Sequence, residues 1–435
     1  MTGTASERKY QTSQLRILHT SDWHLGQHFF GKSREEEHQL FIGWLLQKIE
    51  QQQVDVLLIT GDIFDTGTPP SYARTHYNQL IVRLRKIGCQ VVVLGGNHDS
   101  VTTLNESREL LACLNATVVA TVDQDMSQQL VELKNRSGEV AGLLCAVPFL
   151  HQSDIAKSRA GESAQEKKQQ LLSAISEHYA DLFSLAQAQQ QPDLPPIPVI
   201  ATGYLACAGG QLSESVREIY IGALDIFPTE CFPKADYIAL GHLHIAQKVE
   251  GHEHIRYSGS PIPLSFDESS LAKQVCLIDF SNGELFGVKS LEIPCFRRLQ
   301  SIDCRINELE NVLSAIADQS TADPLTPWLE ITVGASDYLD NVQKVIQQVS
   351  EDLRLDVLQV KRHKEAVGHA LNKNEGLPQL NVKDVFAACL RLEDVDEDNK
   401  KKLNSLLNQV IEKIDSDDNN DLSKTSNNYK SGESL

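Results

Sequence analysis

Five short segments of this chain carry aspartate, asparagine, histidine or tyrosine directly after an apolar run. They are Asp22-Trp23-His24, Gly61-Asp62-Ile63-Phe64-Asp65, Gly96-Asn97-His98-Asp99, Gly203-Tyr204 and Gly241-His242-Leu243-His244. Nitrogen and oxygen donors of this kind suit divalent cations of intermediate hardness. Two such ions ~3.5–4 Å apart grip a phosphate and lower the pKa of a bound water, so the set points to metal-assisted hydrolysis of a phosphate ester. Asp62 is placed to bridge the ions. Asp22 and His24, at i and i+2 of an extended segment, are expected to point the same way, as are His242 and His244. Gly95 and Gly96 are expected to turn the backbone sharply, sending Asn97 and His98 in different directions. The Asn97 amide oxygen then serves as a neutral ligand. His98 is left to stabilise charge or to protonate the leaving oxygen. The remaining histidines, His19 and His38 among them, lack this context and read as structural.

The elements that must hold these residues are legible as glycine-bounded apolar runs: Leu15–His19, Val54–Ile59, Val91–Leu94, Val199–Ala201 and Tyr237–Leu240. Such runs fit buried strands. A ligand loop at the carboxyl end of each is the arrangement that layered α/β folds use. Between the strands, Glu35–Glu50 carries a stripe of Leu40, Phe41, Trp44, Leu45 and Ile49, and Tyr72–Ile87 one of Tyr77, Leu80, Ile81, Leu84 and Ile87. The second stripe fits either core packing or a subunit interface. Residues 152–198 read as an insertion, a polar helix followed by a Gln/Pro-rich exposed connector. Val275–Phe280 and Gly287–Ile293 read as strands leaving the first domain, and Trp328–Val333, a helix over Tyr338–Leu353 and Leu355–Val360 as a βαβ-like unit.

The chain has 435 residues, enough for about three domains. The expected divisions are a disordered extension (1–13), the catalytic domain (14–285), a small α+β capping domain (286–370), a helix pair (376–414) and a disordered acidic tail (415–435). No apolar stretch is long enough to span a bilayer, and the first 13 residues lack the apolar segment of a signal peptide, so a cytoplasmic location is expected. Nine scattered cysteines with no CxxC pair fit reduced core residues. The net charge of −19 argues against coating nucleic acid by bulk attraction. It does not exclude a nuclease, because bound cations offset carboxylates locally and a partner can supply positive surface.

On these motifs the chain resembles the calcineurin-like metallophosphoesterases, and within them the nuclease subunits of bacterial complexes with a coiled-coil ATPase. Further stretches carry the resemblance: HTSDWHLG (19–26), GDIFDTGTPPSYAR (61–74), LNESR (104–108), IYIGALDIFP (219–228), DYIALGHLH (236–244) and YSGSPIPLSFDE (257–268). It implies an α/β fold, a layered metallophosphoesterase β-sandwich flanked by helices, with the small α+β capping domain and C-terminal helix pair. It implies a manganese-dependent DNA endonuclease and 3′–5′ exonuclease, a homodimer, and C-terminal helices that bind the base of the ATPase's coiled coil. It places Asp22, His24, Asp62 and His244 around one ion and Asp62, Asn97 and His242 around the other, with His98 as the catalytic histidine. It also implies a histidine after Gly203, where this chain has Tyr204. Three consequences are open from sequence: a weakly held second ion, a phenolate ligand, or a subunit retained as a structural partner of the ATPase.

Overall fold

The computed structural model describes residues 14–155, 163–190, 195–207, 209–211, 213, 215, 226–249, 251–334, 344, 346, 348, 353–363, 402, 403, 406 and 407. The chain divides into two compact units, Met1–His363 and Lys364–Leu435. Apart from four of its residues, the helix pair expected at 376–414 lies outside the described residues, as do the N-terminal extension, the tail and most of the expected helix over 338–353.

The first unit is built on two six-stranded sheets. One runs Glu284–Glu292, Gln274–Ser281, Gln14–Thr20, Val56–Thr60, Gln90–Leu94, Ala116–Val119, and its last four strands are parallel. The other runs Gln247–Lys248, Ile255–Tyr257, Tyr237–Gly241, Val199–Tyr204, Val140–Cys145, Leu130–Lys134, with a parallel centre. Glu284–Glu292 is paired along its length with Gln274–Ser281, so the first sheet continues past residue 285.

The strands are apolar without alternation because both of their faces are covered. Ile17, Val56, Leu58, Val92 and Leu94 point between the sheets and meet Leu144, Ile200, Tyr237 and Ala239. Leu18, Leu57, Ile59, Val91 and Val93 point outward onto the helices Glu35–Gln51 and Ser71–Lys86. On the far side, Val199, Ala201, Ile238 and Leu240 pack on the helix Ala164–Ala188 through Leu171, Ile175, Tyr179 and Leu182. The result is four layers: helix, sheet, sheet, helix.

Two expectations are corrected here, and the core-packing reading of the Tyr72–Ile87 stripe is met. Ala164–Ala188 is the outer layer over the second sheet rather than a polar helix of an insertion, because one face of an otherwise polar sequence is apolar at helical spacing. In Glu35–Gln51 the buried stripe is Phe41, Ile42, Leu45, Leu46 and Ile49, while Leu40 is exposed. In Ser71–Lys86, Tyr77, Leu80, Ile81 and Leu84 are core residues of the chain itself.

A third sheet, all parallel, runs Leu299–Asp303, Trp328–Val333, Asp356–Arg362. The helix Leu309–Gln319 covers it, with Leu309 and Leu313 packed on Leu329 and Ile331. Trp328 stacks on Phe29 with centroids 5.9 Å apart. The Arg297 guanidinium lies 4.1 Å over the Trp328 ring. Arg297 and Arg34 both pair with the buried Glu37.

Candidate metal centre

The five segments converge at the carboxyl ends of parallel strands, where their backbones are laced together. Asp22 N donates to Gly61 O (3.0 Å), His24 N to Asp62 O (3.0 Å), and Leu25 N to Ile63 O (2.8 Å). His98 N donates to Asp62 Oδ1 (2.9 Å), and His242 N donates to Asp22 Oδ1 (3.0 Å).

This lacing corrects the extended geometry expected for the histidine pairs. Asp22, His24, Asp62 and His242 take positive φ values of 53°, 48°, 47° and 93°. Non-glycine residues adopt such angles rarely, and clusters of them mark functional sites. After three of the strands the side chains converge because the backbone turns into a left-handed kink, rather than by strand alternation. Gly96 also plays a different part from a sharp turn. A Cβ there would lie 2.1 Å from Asp62 Oδ1, so the position is bare to let the Asp62 carboxylate approach.

Two groups of ligand atoms result, each with all atoms within 4.8 Å of one another: Asp22, His24, His244 and His24, Asp62, His98. All but His98 are buried. Asn97 Oδ1 is buried with no hydrogen-bond partner among the described residues, and the buried His24 Nε2 has only the Asp62 carboxylate, at 3.4 Å, beside it. A polar atom left so costs free energy unless something else satisfies it. The donor set and these atoms fit a bound divalent cation. His242 belongs to neither group; its ring packs 5.3 Å from that of Tyr204.

Tyr204 is the last residue of its strand, in register with Gly241. Its ring lies against the bare α-carbon of Gly61, where a Cβ would be 2.2 Å from Tyr204 Cδ2. Its hydroxyl donates to Asp22 Oδ1 at 3.0 Å. Burial, then the charges of Asp22 and Asp62, push the phenol pKa well above its ordinary value.

Residues that sequence reasoning left without a role surround these ligands. His24 Nδ1 faces Asp65 Oδ1 at 3.1 Å, the pairing that fixes tautomer and ring orientation in metal-binding histidines. Burial opposes a charge on His24, but Asp65, Asp62 and Asp22 outweigh it and push the pKa up to about 9. His98 Nδ1 is anchored on the Asp65 carbonyl at 2.7 Å, which leaves Nε2 to the site. The Asp99 carboxylate takes backbone N–H groups of Ile63, Phe64 and Gly96, tying two loops together. Burial and the nearby Asp62 push Asp99 up to about 7. Beyond His244 lies a buried ion pair, Glu268–Lys273, at 2.7 Å. The signal for Asp65 and Asp99 was their position in the ligand segments. That for Glu268 was a carboxylate inside the YSGSPIPLSFDE stretch, far from any ligand in sequence.

The family description "Calcineurin-like phosphoesterase" matches residues 15–246, and "Type 5 capsule protein repressor C-terminal domain" matches 295–394. The chain belongs to the calcineurin-like phosphoesterase family, and it is a hydrolase. It is 46% identical over 403 residues to the SbcD subunit of the SbcCD nuclease of Escherichia coli strain K12, covering 91% of this chain and 98% of that one. Proteins of the same name from Rhodobacter capsulatus and Bacillus subtilis are 36% and 30% identical over 278 residues, 62% of this chain and 67% of each of theirs. Among the described residues no helix is long and apolar enough to cross a membrane.

Proposed function

We propose that this chain hydrolyses DNA phosphodiester bonds as an endonuclease and 3′–5′ exonuclease. In this reading it is the nuclease subunit of a complex with the SbcC ATPase, acting on DNA ends and hairpins in replication, recombination and repair. The carrying observation is the convergence of Asp22, His24 and His244, and of His24, Asp62 and His98, in two groups that share a histidine. The similarity to named SbcCD nuclease subunits over 91% of the chain supplies the substrate class.

In this reading Asp22, His24, Asp62 and His244 hold one divalent ion. Asp62, Asn97 and His242 hold a second, and manganese is the metal. Bound divalent ions supply Lewis acidity, neutralising phosphate charge and lowering the pKa of water. The protein's own residues do the rest. Asp65 fixes the His24 ring. Asp62 is held by the His98 backbone N–H, so its carboxylate cannot rotate away. His98, with Nδ1 committed to Asp65 O, presents Nε2 to the leaving oxygen and protonates it as the ester bond breaks. The SbcC ATPase docks on the helix pair at 376–414, two copies of this chain form the complex, and double-stranded and hairpin DNA is the substrate.

Tyr204 supports a second reading. Its hydroxyl spends its proton on Asp22, so it acts as a donor to one ligand rather than as a ligand. The second ion is then held weakly. In the limit the chain is a structural partner of the ATPase.

The test is manganese-dependent cleavage of labelled linear and hairpin DNA with SbcC and ATP, comparing wild type, His98→Ala and Tyr204→His. Cleavage by wild type that is lost in His98→Ala supports the nuclease. Cleavage by Tyr204→His alone makes the natural chain the structural partner.

A further inference from the structure

We propose that the buried Glu268–Lys273 pair, acting through Ser215, is a positioning device that fixes the orientation and tautomer of His244. The proposal rests on the reading of His244 as a metal ligand.

His244 is held at both ends. Lys273 Nζ donates to its backbone carbonyl (3.1 Å), and Ser215 Oγ lies 2.7 Å from ring atom Nδ1. Ser215 Oγ also lies 2.6 Å from Glu268 Oε1, which is itself 3.6 Å from His244 Nδ1, beyond hydrogen-bond reach, so the serine bridges the gap. An ionised carboxylate only accepts, and a serine hydroxyl has one proton to give. Ser215 therefore donates to Glu268 and must accept from His244. The ring proton is thereby placed on Nδ1, and Nε2 is left as a lone pair for an ion.

The supporting pair is itself immobile. Lys273 spends all three protons, on Glu268 Oε2 (2.7 Å), Ser260 Oγ (2.9 Å) and the His244 carbonyl. Glu268 Oε2 also accepts from Leu264 N at 3.1 Å, and Glu268 is fully buried. Burying two opposite charges adds little net stability over apolar residues of the same size. What the pair does supply is a fixed anion at the end of the serine bridge, the part that a carboxylate plays behind a metal-binding histidine.

The experiment uses the purified full chain. Manganese affinity is measured by calorimetry, ring 15N–1H spectra report the histidine tautomers, and thermal melts report folding. The variants are Ser215→Ala, the double variant Glu268→Gln/Lys273→Met, and His244→Ala. The double variant removes both charges together, so no lone charge is buried. Ser215→Ala leaves the pair untouched and decides the matter if the double variant does not fold. The expected result is manganese binding about ten- to a hundredfold weaker in folded Ser215→Ala and in the folded double variant, with loss of the Nδ1–H signal of His244. Wild-type affinity in either folded variant, alongside weakened binding in His244→Ala, overturns the proposal and leaves the ligand reading standing. Wild-type affinity in His244→Ala overturns the ligand reading itself.

Discussion

The Tyr204 hydroxyl donates a hydrogen bond to Oδ1 of Asp22 across 3.0 Å, and the same oxygen accepts the backbone N–H of His242. Asp22 Oδ2 accepts from Ser21 Oγ at 2.6 Å. Both carboxylate oxygens are thus oriented by donors that do not move with the substrate. Tyr204 is part of what aims Asp22, and its ring fills the space that the bare Gly61 and Gly241 leave open.

Replacing Tyr204 separates these two contributions. Tyr204→Phe keeps the ring and removes one hydrogen bond to a charged group, a loss of about 1.5–3 kcal/mol if nothing replaces it. Its melting point should fall while the number of manganese ions bound stays as in wild type. Tyr204→His should bind a second manganese ion more tightly than wild type, read by calorimetric titration. An unchanged second binding step in Tyr204→His would show that the phenol does not limit that site.

His24 sets the pH dependence of metal uptake. Its pKa is raised to about 9 by Asp65, Asp62 and Asp22 against the opposing effect of burial, so in the metal-free protein it carries a proton at neutral pH. A metal ion must displace that proton. Affinity for manganese should therefore rise as pH climbs from 7 toward about 9 and level off above it, with proton release on binding. The sign for the metal-free fold is opposite. A raised histidine pKa stabilises the folded state fully below the unfolded value of ~6.5, and that contribution is lost as pH rises through about 9. Calorimetry in buffers of different ionisation enthalpy measures the proton count. A binding step that releases no protons at pH 7.5 would contradict this account.

His98→Ala should slow cleavage sharply without loosening the fold. The side chain is 21% exposed, and its ring nitrogen Nδ1 makes one hydrogen bond, to the Asp65 carbonyl. General acid catalysis contributes roughly 10²–10⁴-fold, which is the expected fall in cleavage rate. The melting point should shift little. A variant that cleaves within threefold of wild type removes His98 from the chemistry.

The converging segments were readable from sequence because each follows an apolar run, and those runs are strands of the two sheets. The left-handed backbone at Asp22, His24, Asp62 and His242 was not readable, since nothing in a D-W-H or G-H-L-H string distinguishes extended from kinked. The supporting residues were hidden for a different reason. Glu268 lies 24 positions after His244 and reaches it through Ser215, and such contacts leave no local period or spacing in the chain. The helix Ala164–Ala188 misled because its many Gln and Lys residues mask an apolar face that shows only when the helix is wound.

One buried carboxylate sits at the join between the large domain and the small third sheet. Glu37, 1% exposed, pairs with Arg34 at 2.6 Å and with Arg297 at 3.1 Å. Arg297 also lies over Trp328, and Trp328 stacks on Phe29. Glu37 is thus the anion between two buried guanidinium groups from either side of the join. Removing one partner of a buried ion pair leaves an uncompensated charge and costs about 3–5 kcal/mol. Glu37→Gln keeps the shape and removes the charge, so Arg34 would lose its carboxylate partner and Arg297 would keep only the exposed Glu36, at 3.2 Å. The expected outcome is loss of stability of that order in urea unfolding, with protease cleavage first appearing in the segment 293–298 that carries Arg297. The metal loop should respond as well, because His38, one residue on, binds the Trp23 carbonyl through Nε2 at 2.9 Å. Manganese affinity should therefore weaken in Glu37→Gln but not in Lys32→Ala, which breaks only the exposed pair with Asp356. Equal stability and equal affinity in the two variants would mean that the join does not depend on Glu37.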